Sequence, residues 1–214
     1  MKNKKDWFVK NSKWIIALVM LVIFIQIIIA ISKETILVFD TFCYNKVSLL
    51  ISDKMTFFVK MITNLGSAFA LIVITLLIIL FFKNKKYGIL TGINLLVVFL
   101  FNLVLKFIFA RPRPIDINLI EESGYSFPSA HAMVSTAFYG FIIYLILKSN
   151  LSKLNKTIYS VLLTILIVFI CITRVYLGVH YASDVLGGAI IATLYTILFT
   201  NGVSKYLLDS KKIK

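Results

Sequence analysis

Residues 14–32, WIIALVMLVIFIQIIIAIS, run for 19 positions without a charge. A helix rises 1.5 Å per residue, so about 20 such residues cross the ~30 Å hydrocarbon core of a bilayer. The chain returns to this pattern. Uncharged or nearly uncharged runs recur at about 65–82 (LGSAFALIVITLLIILFF), 87–106, 129–147, 157–174 and 183–200. In all, 60% of the 214 residues are hydrophobic, against about 45–50% in a soluble domain. The expectation is an all-α integral membrane protein: one membrane domain over residues 1–214, with six transmembrane helices. Segment 34–64 is apolar but punctuated by charge, which predicts one or more amphipathic helices lying at the interface between the first and second spans. The lysine-rich start before residue 14 resembles a signal peptide. The apolar run is long for one, and no small-residue cleavage site follows, so a retained first helix is expected.

Charge sets the expected orientation. With the N-terminus inside, the inner segments carry 15 of the 23 basic residues and only Asp6 and Asp209 as acids. The positive-inside rule then puts both termini in the cytoplasm of a cell (plasma) membrane. The outer side is close to neutral, so the net charge of +14 is a property of the inner face. It gives no argument for a nucleic-acid partner. Cys43 and Cys171 have no metal-type spacing, and no disulfide is expected between them.

The outer side nonetheless concentrates ionisable residues at the ends of spans. Lys106 ends the third span, and Arg111 and Arg113 follow in ARPRP. Ser129 and His131 open the fourth, Arg174 closes the fifth, and His180 and Asp184 lead into the sixth. Ionisable groups at membrane depth are costly and usually functional. Alternating spans bring all of these to one side. Several fixed cations call for an anion, and arginine's planar fork suits phosphate oxygens. Ser129 stands where it can cap the fourth helix, whose free N–H groups also favour an anion. The only two histidines of the chain, His131 and His180, suit a nucleophile and a general acid at phosphorus. Asp184, four residues after His180, can hold the imidazole tautomer that leaves the attacking nitrogen free. It can equally serve as a helix cap.

These residues resemble the type 2 phosphatidic acid phosphatase family, which shares its site with the vanadium haloperoxidases. That family carries a lysine, six residues, then Arg-Pro; Pro-Ser-Gly-His; and Ser-Arg, five residues, His, three residues, Asp. This chain reads KFIFARPRP, PSAH and TRVYLGVHYASD, and the resemblance spans about residues 60–200. It implies His180 as the nucleophile forming a phosphohistidine, Asp184 as its orienting partner, and His131 as general acid and then base. It implies Lys106, Arg113, Ser129 and Arg174 as the phosphate cradle, with Arg111 an auxiliary contact, and no metal or other cofactor. Two positions depart from the pattern. Thr173 keeps the hydroxyl of the serine it replaces. Ala130 replaces the motif's glycine, which matters only if that residue needs positive φ.

The expected function is hydrolysis of a lipid phosphate or diphosphate at the outer leaflet. The resemblance allows undecaprenyl diphosphate, phosphatidylglycerol phosphate or phosphatidic acid, in a bacterial setting suggested by the many Lys, Ile and Asn residues. A phosphotransferase that passes the phosphate to a lipid or sugar hydroxyl fits the same cluster. So does a non-enzymatic anion-binding membrane protein.

Overall fold

A computed structural model describes residues 2–115 and 117–208, with side chains for 11–115 and 117–203. Of the inner-face charges, Asp209, Lys211, Lys212 and Lys214 lie outside the described residues. So do the side chains of Lys2, Lys4, Lys5, Asp6, Lys10 and Lys205. Every regular element among the described residues is a helix. In chain order these are α1 (Lys2–Ser32), α2 (Leu37–Ser48), α3 (Asp53–Asn64) and α4 (Ala68–Phe81), then α5 (Lys86–Phe109), α6 (Ala130–Lys148), α7 (Lys153–Tyr176) and α8 (Ala182–Leu208).

Five helices are long and apolar enough to span a bilayer: α1, α5, α6, α7 and α8. The second span differs from its expected form. Its helix starts at Ala68, not residue 65, and its 14 residues cover only about 21 Å. It reaches spanning length only together with α3, from which it is bent by 47°. The break has local causes. Asn64 ends α3, and Ser67 restarts the chain by accepting the Ala70 N–H at 3.3 Å. Gly66 lies between them because a Cβ there would come within 2.7 Å of Ser135 Oγ and 2.8 Å of Ile170. Segment 34–64 forms α2 and α3. Only α3 sorts apolar and polar residues onto separate faces. In α2 the one buried residue is a charge, Asp40.

α6 is the centre of the bundle, packed by α5, α7 and α8. Its Ala132, Met133, Ala137, Phe138 and Phe141 are fully buried, alongside Val98 of α5 and Ile170 of α7. Within lipid the apolar surfaces gain little by meeting each other, so close packing and polar contacts between helices matter more. Asn94 Nδ2 donates to Ala137 O at 3.2 Å, and Asn102 Nδ2 to Pro128 O at 3.1 Å. Such contacts contribute about 0.6 kcal/mol each on average. Small residues of α8 bring it against the start of α6: a Cβ on Gly188 would meet Ser129 O at 2.9 Å. Large apolar side chains such as Leu18, Phe69, Phe107 and Leu162 point outward. Cys43 and Cys171 are both free thiols.

Since the helices alternate in direction, the C-terminal ends of α5 and α7 and the N-terminal ends of α6 and α8 share one end of the bundle. The lysine-bearing turns at 82–86 and 149–153 lie at the other.

Candidate active site

The α7–α8 turn is built around His180. Gly178 has φ +69, and a Cβ there would sit 2.1 Å from Ile117 O, so only glycine fits. Leu119 N donates to Leu177 O at 2.9 Å, and Arg113 Nη1 to Val179 O at 2.8 Å, pinning the turn on both sides. His180 is thereby buried, 3% exposed. Its Nε2 lies 3.2 Å from Arg113 Nη1. A guanidinium nitrogen can only donate, so Nε2 is the acceptor and the ring proton sits on Nδ1. Nδ1 faces Ser126 Oγ at 3.3 Å and Asp184 Oδ2 at 3.6 Å. Burial pushes the imidazole down to about 4, with Arg113 and Arg174 adding to the shift and Asp184 opposing it. The ring is therefore neutral at pH 7.

Asp184 is fully buried and fully paired. Its Oδ1 accepts from Arg111 Nη1 at 2.7 Å, and its Oδ2 from Ser126 Oγ at 2.5 Å and from Tyr181 N at 2.9 Å. It is the third residue of α8 and reaches back to the residue before the helix, the carboxylate half of a capping box. It is not the cap itself.

The residues expected to form a phosphate cradle converge from three elements and the loop between α5 and α6. Arg174 ends α7 at 1% exposure, with Nη1 donating to Thr63 Oγ1 at 2.9 Å and Nε buried without a partner. Arg113 is braced by Gly124 O (3.0 Å) and Ser123 O (3.0 Å) as well as Val179 O. Burial lowers its pKa, with Glu122 and Asp184 opposing. Lys106 Nζ donates to Tyr125 O. Ser129 occupies the N-cap position of α6, but its side chain makes no capping bond. Its Oγ is wholly buried without a partner. The expectation that it caps the helix is therefore corrected, and the hydroxyl is left free for another acceptor. His131, in the first turn of α6, shares the site with Arg174, His180, Arg113 and Lys106. Ala130 is the first residue of α6 and not a positive-φ position, so the departure from glycine carries no backbone strain.

Three site residues carried no signal in the sequence motifs. Glu122 occupies the cradle itself, paired to Arg174 Nη2 and 3.7 Å from Arg113 Nη2. Ser126 bridges His180 and Asp184. Asp40, on α2, holds Arg111 at 2.9 Å. Arg111, the auxiliary contact that the resemblance implies, has its guanidinium turned to carboxylates. It forks between Asp40 and Asp184, donates to Ser183 Oγ at 2.8 Å, and lies over the Tyr181 ring at 4.1 Å. Among the described residues no three His, Cys, Asp or Glu side chains converge as ligands for a metal.

A cleft of about 520 Å³ opens beside the cradle. Glu122 and His131 are its charged or titratable lining. Gly66, Leu71, Leu95 and Phe99 belong to its mostly apolar remainder. Its length of apolar lining suits a hydrocarbon chain, with Glu122 and His131 at the polar part.

The family model described as PAP2 superfamily matches residues 86–207. Phosphatidylglycerophosphatase B of Bacillus subtilis is 39% identical over 135 residues, covering 59% of this chain. The chain thereby spans 64% of that protein, just under two thirds. Undecaprenyl-diphosphatase of Sulfolobus acidocaldarius is 27% identical over 88% of this chain and 90% of its own length. The crystal structure of a transmembrane PAP2-type phosphatidylglycerolphosphate phosphatase from Bacillus subtilis superposes with a TM-score of 0.81. It is 29% identical, over 88% of this chain and 96% of that one.

Proposed function

The chain belongs to the PAP2 superfamily, and on that premise we propose that it is a membrane-embedded lipid phosphatase. It would release phosphate from a lipid monoester or diphosphate through a phosphohistidine at His180. The observation that carries this reading is the aim of His180. Its Nε2 lone pair faces Arg113 at 3.2 Å while Nδ1 faces Asp184. A neutral, buried imidazole with its free nitrogen turned to a cationic pocket is set to attack an anion's central atom.

The steps follow from that aim. Substrate phosphate displaces the Glu122 carboxylate and takes the donors of Arg174, Arg113, Lys106, the free Ser129 hydroxyl and the N–H groups opening α6. His180 Nε2 forms the N–P bond as the P–O bond to the lipid breaks. Positive charge grows on the ring, and Asp184 stabilises it through Nδ1–H. His131 supplies the proton to the leaving oxygen. Water then attacks the phosphohistidine and gives its proton to His131, and inorganic phosphate leaves. The fixed cations supply the stabilisation of the transferred group.

The substrate's hydrocarbon occupies the cleft lined by α4, α5 and α6. The inner-face lysines support a site on the extracytoplasmic side of the cell membrane, in a chain that forms one membrane domain. The names of the relatives make undecaprenyl diphosphate and phosphatidylglycerol phosphate the first lipids to offer. The test is phosphate release from each by detergent-purified protein with EDTA present, beside His180→Ala. Release that persists in EDTA and disappears in the variant is expected. Wild-type release by His180→Ala would overturn the reading.

A further inference from the structure

α2 lies outside the residues matched by the family model, 86–207, yet it inserts a carboxylate into the catalytic end of the bundle. Asp40 is 3% exposed. Its Oδ1 accepts from Ser183 N at 2.7 Å, and its Oδ2 from Ser183 Oγ at 2.7 Å and Arg111 Nη2 at 2.9 Å. Arg111 Nη1 goes to Asp184 Oδ1 at 2.7 Å. One guanidinium therefore bridges two buried carboxylates, one on α2 and one beside the nucleophile, and the Tyr181 ring covers its face. A fork held at both tips and on one face has one orientation, and that orientation fixes the plane of the Asp184 carboxylate. The second oxygen of that carboxylate is the one facing His180 Nδ1.

We propose that Asp40 and Arg111 are positioning residues of the catalytic centre: α2 clamps Asp184 through Arg111, and Asp184 in turn aims His180. The proposal rests on the reading of His180 as nucleophile. The groups facing His180 are Arg113, Ser126 and Asp184, with Arg174 and His131 beyond them. Arg111 and Asp40 act behind Asp184. Neutralising Arg111 leaves two buried carboxylates uncompensated near His180, so the imidazole becomes easier to protonate. Removing Asp40 as well takes one of those charges away.

The experiment measures kcat, KM and the acidic limb of kcat/KM for phosphate release from phosphatidylglycerol phosphate in detergent, with thermal melting as the check on folding. Asp40→Asn should lower kcat by about 10- to 100-fold, the range seen when outer partners of a ligating side chain are removed, with KM changed less than about threefold. Arg111→Gln should lower kcat and move the acidic limb to higher pH. The double variant should return the limb toward wild type and be no slower than Arg111→Gln alone. Arg111→Lys keeps the charge but cannot fork, so kcat should fall while the limb stays in place. This variant carries the test if Asp40→Asn does not fold. Wild-type kcat in folded Asp40→Asn or in Arg111→Lys overturns the proposal, as do losses that multiply in the double variant. Undiminished release by His180→Ala overturns instead the reading of the nucleophile, and the two failures are separate.

Discussion

Glu122→Gln should make the protein bind phosphate-like anions more tightly. The Glu122 carboxylate meets Arg174 and approaches Arg113 at 3.7 Å, so an entering oxyanion must displace it. A hydrogen bond to a charged group contributes about 1.5–3 kcal/mol. The Glu122 side chain is 28% exposed, and solvent screening takes the combined interaction toward the low end, about 2 kcal/mol. At 1.36 kcal/mol per tenfold, the cradle is then open in about one molecule in 30, and apparent affinity is reduced by that factor. A neutral amide keeps one hydrogen bond but loses the charge pairing, so the inhibition constants of inorganic phosphate and orthovanadate should fall by about 10- to 30-fold. The assay is competitive inhibition of phosphate release at pH 7 and fixed ionic strength, wild type against variant. An inhibition constant that is unchanged within twofold, or weaker, would refute the idea that Glu122 occupies the anion's place.

With His180 as the proposed nucleophile, the acidic limb of kcat/KM should fall near pH 4, because the imidazole is neutral above about 4 and protonated below it; a pH–rate profile locates it. The same depressed basicity bears on stability. The unfolded imidazole takes up its proton near pH 6.5 and the folded one only near 4, so the melting temperature should drop as pH is lowered between those values, and less so in His180→Gln. Gly178→Ala should destabilise the fold by more than the ~1–2 kcal/mol of a left-handed backbone, since the added Cβ also meets Ile117 O at 2.1 Å; thermal melting in detergent measures it. Ala130→Gly should leave kcat unchanged and lower stability by about 0.5–1 kcal/mol, because residue 130 is helical and needs no positive φ.

The spans were legible because hydropathy is a local property: α5, α6 and α7 begin and end within a few residues of their apolar runs, and α8 starts at its run and continues eight residues past it. The broken second span was not legible. Asp53, Lys54 and Lys60 hide the apolar face of α3, and a 14-residue α4 reads as a complete helix when serine, glycine and leucine before it are counted in. In the site, Lys106 with Arg113, and Arg174 with His180 and Asp184, are fixed by short spacings along the chain. Glu122 and Asp40 are fixed by partners far away in sequence, Arg174 and Arg111, and nothing near either acid announces the pairing. Asp40 read as an interfacial charge in an apolar segment. The two arginines of ARPRP differ by the company they keep: Arg113 meets backbone carbonyls and His180, while Arg111 meets two carboxylates.

Glu122 has a consequence for how the pocket handles charge. Lys106, Arg111, Arg113 and Arg174 stand against Asp40, Asp184 and Glu122, so these described residues carry a single excess positive charge. When Glu122 swings out, the centre holds two, the charge of a phosphate monoester dianion. On the proposed function the pocket would then work as an ion exchanger, swapping a tethered anion for a free one and staying near electroneutrality in both states. Departing phosphate would meet a counter-ion already on its tether, which could return to the arginines without diffusing in from water.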